Sequence, residues 1–148
     1  MTAEGSADAD ALARACAEAM WPDDHASRSM GMVLGHITAG RACMSLVVID
    51  TMVNGHGICH GGFIFALADS AMAFAANSRG ERAVAQHNSI TYVRPVRLGE
   101  TLIAHAEERV IVGRSGIYDV HVTGSDGSIV AEFRGHSRLS GGRLLTED

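Results

Sequence analysis

Fourteen residues near the middle of the chain, Phe63 to Ala76, read FIFALADSAMAFAA and hold a single carboxylate, Asp69. Its only polar companion in the run is Ser70. A segment rich in Ala, Leu, Met and Phe forms helix readily, and one that is apolar on every side is buried. A carboxylate in such a place is costly unless it is paired, hydrogen-bonded or used in chemistry. Immediately upstream, Asn54 to Gly62 reads NGHGICHGG, a glycine-rich turn leading into the helix start. The first N–H groups of a helix have no partner within it and can hold an anion or a polarised carbonyl oxygen. The two features suggest an acid/base group at Asp69 and an oxyanion donor at the head of the same helix. A buried Asp that only accepts hydrogen bonds and a glycine turn that only connects are the structural alternatives. Their coincidence on one element favours chemistry.

Spacing then constrains how such a pair could act. Gly61 and Asp69 are eight residues apart, which is roughly 12 Å at 1.5 Å per residue. An oxyanion donor and a water-activating base must both lie within about 3 Å of the same reacting region. One helix cannot supply both to one carbonyl group. Two antiparallel helices across a two-fold axis can, with Gly61 of one chain meeting Asp69 of the other. If both residues act, the protein is a dimer with two composite sites. Asp69, set in an apolar helix, is expected to have a raised pKa and so to be a better base than a solvated Asp. Direct attack by Asp69 to form a mixed anhydride is the alternative.

The elements that must position this helix are legible from pattern. Asp8 to Met20 is Ala-rich, with Leu12, Cys16 and Met20 on one helical face, and Trp21-Pro22-Asp23-Asp24 ends it. Residues 1–6 are expected to fray, and 27–30 to form a short second turn of helix. Segments 32–38 and 41–50 read as strands around an Ala39-Gly40 turn, and 51–60 as loop. The central helix spans Gly61 to Asn77. Four strands follow, at about 83–94, 100–112, 116–123 and 128–139, the last three joined by hairpin-like links. Tyr118, Val120 and Val122 alternate with Asp119 and His121, and Ile129, Ala131 and Phe133 with Glu132 and Arg134. Such alternation marks a sheet with one covered face. A curved antiparallel sheet can wrap one buried helix but leaves part of it open, and a second subunit closes the gap. The expected class is α+β with obligate pairing. Residues 1–24 form an N-terminal helical segment and 25–148 the sheet-and-helix domain, a single domain overall.

Composition sets bounds. A length of 148 residues suits one domain with a full core. The apolar run is broken by Asp69 and Ser70, so a membrane span is not expected. The N-terminus shows no basic region followed by an apolar core, so no secretory signal is read. Three cysteines, Cys16, Cys43 and Cys59, are an odd and sparse set that suggests reduced thiols in a cytoplasm. A net charge of −5 speaks against non-specific nucleic-acid binding. All 12 basic residues are Arg, which excludes Schiff-base chemistry from a lysine. His56, Cys59 and His60 could suggest a metal site, but no second ligand cluster accompanies them. Cys59 as nucleophile with His60 as base is disfavoured because adjacent turn positions rarely give the needed geometry. His105, His121 and His136 fall in strand patterns, as surface or sheet-face residues. Neither metal nor cofactor is called for.

The segment NGHGICHGGFIFALADS at 54–70 resembles the hotdog-fold acyl-CoA thioesterases of the phenylacetate-pathway (PaaI) type. NSITYVRPVRLGETLIAHA at 88–106, GRSGIYDVHV at 113–122 and VAEFRGHSR at 130–138 fit the same family. The resemblance implies a sheet wrapped around one long helix, dimers with a continuous sheet, and dimers of dimers as tetramers. It implies an acyl-CoA substrate, with aryl-acyl groups such as phenylacetyl or a hydroxylated derivative as first choice. It implies Asp69 as catalytic carboxylate, the Gly61 N–H as oxyanion donor, His60 as the residue shaping that turn and a contact to the thioester, and Asn54 as orienting the attacking water. Gly62, Arg94 and Arg114 are the expected substrate-binding residues, with Arg97 a further candidate for coenzyme A phosphates. Some relatives carry a Ser or Thr on the following strand. Ala85 stands there in this chain, so that helper is absent or supplied by Gln86, His87 or Ser89. A hotdog hydratase or dehydratase and a non-catalytic acyl-CoA binder are the competing functions.

Overall fold

A computed structural model describes residues 2–146 of the chain. Helix α1 (Ala3–Met20) opens it, capped by Thr2, whose Oγ1 accepts from the Gly5 N–H at 3.2 Å. That cap and an Ala-rich body start the helix at Ala3, within the stretch expected to fray. Cys16 is buried along α1 with Ala13 and Ala17, and Leu12 and Met20 are half-buried beside them. A 3₁₀ turn at Trp21–Asp23 leads to the short α2 (His25–Ser29), whose first turn is capped by Asp24.

Strands β1 (Val33–Thr38) and β2 (Arg41–Val47) form the expected hairpin. Gly40 takes φ +75° at the turn, which favours glycine. Its N–H donates to Ser78 Oγ at 2.8 Å, tying the hairpin to the chain just beyond the central helix. That helix, α3, runs Gly61–Ala76. Asn77 closes it and ends it one residue earlier than the pattern suggests. The Asn77 N–H and Nδ2 donate to Ala73 O, Nδ2 also donates to Ala83 O, and Oδ1 accepts from the Ala83 N–H. One buried amide thus fixes the helix end against the next strand.

Four long strands complete the chain: β3 (Glu81–Tyr92), β4 (Thr101–Val112), β5 (Ser115–Gly124) and β6 (Ile129–Arg143). The six strands make one antiparallel sheet in the order β1-β2-β4-β5-β6-β3. This is the hotdog fold, with α3 packed on the concave face and touching all six strands. Leu67, Ala68, Ala71, Phe74 and Ala75 of α3 meet Met44, Leu46, Leu102, Val120, Val122 and Phe133 of the sheet. One stripe of α3 is left incompletely covered: Gly62 is exposed, and Ala66, Asp69 and Ala73 are only half-buried. Those positions are spaced by four, three and four residues, so they lie on one face.

Strand β3 is an edge of the sheet and carries a bulge. Its register with β6 passes from Ala85↔Ser137 to His87↔His136, which leaves Gln86 as the extra residue. A bulge shifts the alternation by one. After it, Asn88 and Ile90 turn toward α3, while Ser89 and Thr91 line a cleft with Asp119, His121 and Arg134 on the outer face. Asn88 sits opposite Gly135, where a Cβ would lie 2.0 Å from Met72 Sδ and 2.8 Å from Asn88 Oδ1. Gly135→Ala is therefore expected to lower stability by about 1–3 kcal/mol, the usual cost of overpacking a filled core. Denaturant unfolding checks this, and an unchanged midpoint would mean that Met72 and Asn88 give way freely.

Candidate active site

The head of α3 is built by its own capping residues. His60 is the N-cap, and its Nδ1 accepts from the Gly62 N–H at 2.9 Å. An accepting Nδ1 leaves the proton of the neutral ring on Nε2. The next unpaired donor is the Gly61 N–H, which has no protein acceptor among the described residues. Gly61 is held from the other side by Tyr92 of β3. The phenol donates to Gly61 O at 2.9 Å, and a Cβ at Gly61 would lie 2.9 Å from Tyr92 Cζ. A side chain at position 61 would displace the Tyr92 ring from this contact.

Asn54 folds the loop in front of this turn. Its Oδ1 accepts from the N–H groups of His56 at 3.0 Å and Ile58 at 3.4 Å. Its Nδ2 has no protein acceptor among the described residues. Asn54, Gly61, Tyr92, Arg94 and Val96 line one cleft of about 420 Å³.

Asp69 lies two turns along α3 and opens elsewhere. It lines a second cleft of about 400 Å³, with Met20, Met72, Ala73, Val84 and Ala85 among the walls. Burial pushes its pKa above the ordinary carboxylate value, and a hydrogen bond from Asn88 Nδ2 to Oδ1, 3.0 Å long, pulls it partly back. No described residue forms an ion pair with it. On one chain the free Gly61 N–H and the Asp69 carboxylate therefore face different clefts, as the helix rise requires.

The expected substrate residues fare unevenly. The Gly62 N–H is occupied by His60, so what Gly62 leaves open is the space of an absent side chain. Arg94 lines the Asn54–Gly61 cleft, but its guanidinium is engaged by Ser128 Oγ, Pro95 O and Glu100. It is a clamp on the loop after β3, and its charge is already paired. Arg114 sits in the turn between β4 and β5 beside Ala76 and Arg79, in neither large cleft. Arg97 is exposed on the loop after β3. Among the described residues no three His, Cys, Asp or Glu side chains are grouped to hold a metal ion, His56, Cys59 and His60 included. Burial pushes the Cys59 thiol up, away from the reactive thiolate.

For the strand helper, His87 faces His136 ring to ring at 5.4 Å. The bulge turns Ser89 away from α3. The residue that reaches Asp69 is Asn88, which pattern reading passes over. Uninterrupted alternation from Ala83 and Ala85 would aim 87 and 89 at the helix, and only the bulge at Gln86 aims 88 there.

The chain has relatives among known proteins. The model of the thioesterase superfamily matches residues 56–131. The chain is 38% identical over 131 residues to the acyl-coenzyme A thioesterase PaaI of Escherichia coli, a match covering 88% of this chain and 94% of that protein. It superposes on the structure of E. coli PaaI, from the phenylacetic acid degradation operon, with a TM-score of 0.89 and 37% identity, over 90% of this chain and 97% of that one. A Streptococcus mutans protein solved with bound acetyl-CoA superposes with a TM-score of 0.73 at 28% identity, over 76% and 90% of the two chains.

The raised pKa of Asp69 has a consequence for stability. A carboxyl group whose folded pKa lies above its unfolded value stabilises the fold only while protonated. That contribution is lost as pH rises from about 4 through the folded pKa. Asp69→Asn removes the ionising group and keeps its size. The melting temperature of the variant, relative to wild type, should therefore climb as pH is raised from acid to neutral. A constant difference across that range would show that burial does not penalise the Asp69 anion.

Proposed function

The chain belongs to the thioesterase superfamily, and on that premise we propose that it hydrolyses an acyl-coenzyme A thioester to free acid and coenzyme A at a site shared by two copies of the chain. The observation that carries the shared site is the placement of Gly61 and Asp69 in separate clefts of one protomer. Two features support a second copy as the missing half. Among the described residues strand β3 pairs only with β6, leaving a 12-residue edge on which Val84 is 55% and Tyr92 47% exposed. Such an edge invites pairing with another strand. The uncovered stripe of α3 that includes Asp69 lies on the face where an antiparallel α3 of the partner would pack.

In this reading Gly61 of one protomer donates its N–H to the thioester oxygen. Asn54 Nδ2, beside it, donates to the attacking water or the developing oxyanion. Asp69 of the other protomer takes a proton from the water as its oxygen bonds to the carbonyl carbon. The tetrahedral intermediate collapses with cleavage of the C–S bond, and the coenzyme A thiolate receives the proton from Asp69. The thioester is already electrophilic and its thiolate leaves readily, so a base, an oxyanion donor and a held water suffice. His60 acts on the turn, by capping the helix and fixing which N–H remains free.

An aryl-acyl group, phenylacetyl or a ring-hydroxylated form, is the proposed acyl substrate. The mainly apolar walls of the Asp69 cleft support it, as does the phenylacetic acid operon named for the E. coli relative. Exposed Arg97 is the better candidate than Arg94 for a coenzyme A phosphate, because its charge is unpaired among the described residues.

Release of free thiol from phenylacetyl-CoA, followed with a thiol reagent and no added metal, tests the activity. Asp69→Asn should lower kcat at least about 100-fold, the scale of general-base loss, with its circular dichroism unchanged. A folded Asp69→Asn protein of wild-type activity would refute the assignment. Single-turnover hydrolysis in ¹⁸O-water should label the product acid and leave the Asp69 carboxylate unlabelled. Label in Asp69 would instead mean nucleophilic attack through an anhydride.

A further inference from the structure

We infer that Asn88 is the positioning residue of the Asp69 base, holding one carboxylate oxygen so that the other takes the proton of the attacking water. The inference rests on the general-base reading of Asp69. Three independent features of the structure converge on this amide. The bulge at Gln86 is what turns Asn88 toward α3. Gly135, directly opposite, has no side chain, and a Cβ there would collide with both Met72 and Asn88 Oδ1. Asn88 Nδ2 then reaches Asp69 Oδ1 at 3.0 Å.

The other end of the amide shows that this orientation is imposed. Asn88 Oδ1 is fully buried between Met72 and Gly135 and has no hydrogen-bond partner among the described residues. An orphaned buried carbonyl is costly. The reverse orientation would place that carbonyl against an ionised carboxylate, which is worse. The arrangement therefore matches an ionised Asp69 that needs a donor. Once Asp69 has taken the proton from water on Oδ2, Oδ1 is still an acceptor and keeps its bond from Asn88 Nδ2, weaker now that the carboxyl is neutral. Asn88 reserves Oδ2 for the water, because a carboxylate oxygen already accepting an N–H is the poorer proton acceptor. Among the described residues no other side chain hydrogen-bonds to Asp69. Met20 of α1, Met72 and Ala73 of α3 and Leu144 beyond β6 are apolar. Ser140 Oγ donates to Arg82 O. Arg82, at the start of β3, is the one charged side chain besides Asp69 among the described lining residues.

Asn88→Leu keeps the shape and removes the donor. Loss of one charge-assisted hydrogen bond should lower kcat about tenfold, with KM changed less than about twofold, because the ground-state substrate contacts stay. Losing a donor that favours the anion must raise the pKa of Asp69, so the acid limb of the kcat profile should move to higher pH. Carboxyl ¹³C titration, with the Asp69 signal assigned by its absence in Asp69→Asn, should show the same upward move. Asn88→Ala serves the same comparison if the leucine variant fails to fold. In wild type, the Asn88 side-chain amide resonances should titrate with the Asp69 midpoint, a readout that needs no variant. An unmoved acid limb and Asp69 titration in a folded Asn88 variant, or a wild-type Asn88 amide blind to Asp69, would overturn the inference and leave Asp69 as base. An active Asp69→Asn protein would overturn the base itself and this inference with it.

Discussion

An α-helix rises 1.5 Å per residue, so its first residue and its ninth cannot touch the same atom. In this chain those positions are Gly61, with a free N–H at the helix head, and Asp69, a carboxylate on an otherwise apolar run. Much of the architecture is intelligible as a response to that separation. The sheet wraps α3 on most sides yet leaves a stripe through Asp69 uncovered, and β3 ends the sheet with a long unpaired edge. In the proposed dimer a second copy would cover both.

The same helix must keep an anion where water is scarce. Apart from Asn88, no described side chain hydrogen-bonds to Asp69 and none forms an ion pair with it, so burial dominates and its proton affinity rises. That is a stability cost, and in the proposed mechanism the same burial makes Asp69 a stronger base. The cost is moderated by one neutral amide, delivered by a bulged strand and accommodated by a glycine. The Gly61 end is built in a different way. His60 consumes the second N–H of the helix and Tyr92 fixes the carbonyl of Gly61, leaving one backbone donor free. Uncharged side chains, Asn88 and Tyr92, hold the two ends, and the well-paired charges, Arg94 with Glu100 and Arg134 with Asp119, lie in the loops and on the outer sheet face.

Most of the fold was legible in the sequence because its signals are local. The glycine turn before an Ala-rich run, the hairpin at Ala39-Gly40, and the alternation of Tyr118, Val120 and Val122 each follow from a few neighbouring residues. The position of Asp69 on a buried helix was equally plain. Three things were not. Asn88 was hidden because a bulge inserts one residue and reverses the facing of everything after it, and nothing in AVAQHNS marks Gln86 as the extra one. Arg94 read as a free cation because its acceptors, Ser128 and Glu100, come from other turns of the chain. Ile129 read as inward by alternation from Phe133, whereas the register irregularity opposite Thr123 leaves it exposed and buries Val130 instead. Each miss concerns register or a long-range partner, which a period-two pattern does not encode.

The most direct test of a shared site is subunit complementation. Asp69→Asn removes the base, and Gly61→Pro removes the oxyanion N–H. Proline is tolerated at the first position of a helix, with His60 before it already extended and Tyr92, a half-exposed side chain, free to swing aside. Circular dichroism must first show both variants folded. Mixed and allowed to exchange, two inactive proteins that pair at random give mixed dimers in about half the cases. Each mixed dimer has one site carrying both defects and one carrying neither, so a shared site requires recovery of about a quarter of wild-type activity. No recovery, with exchange and folding verified, would place Gly61 and Asp69 in the site of a single chain and contradict the separation on which the rest is built.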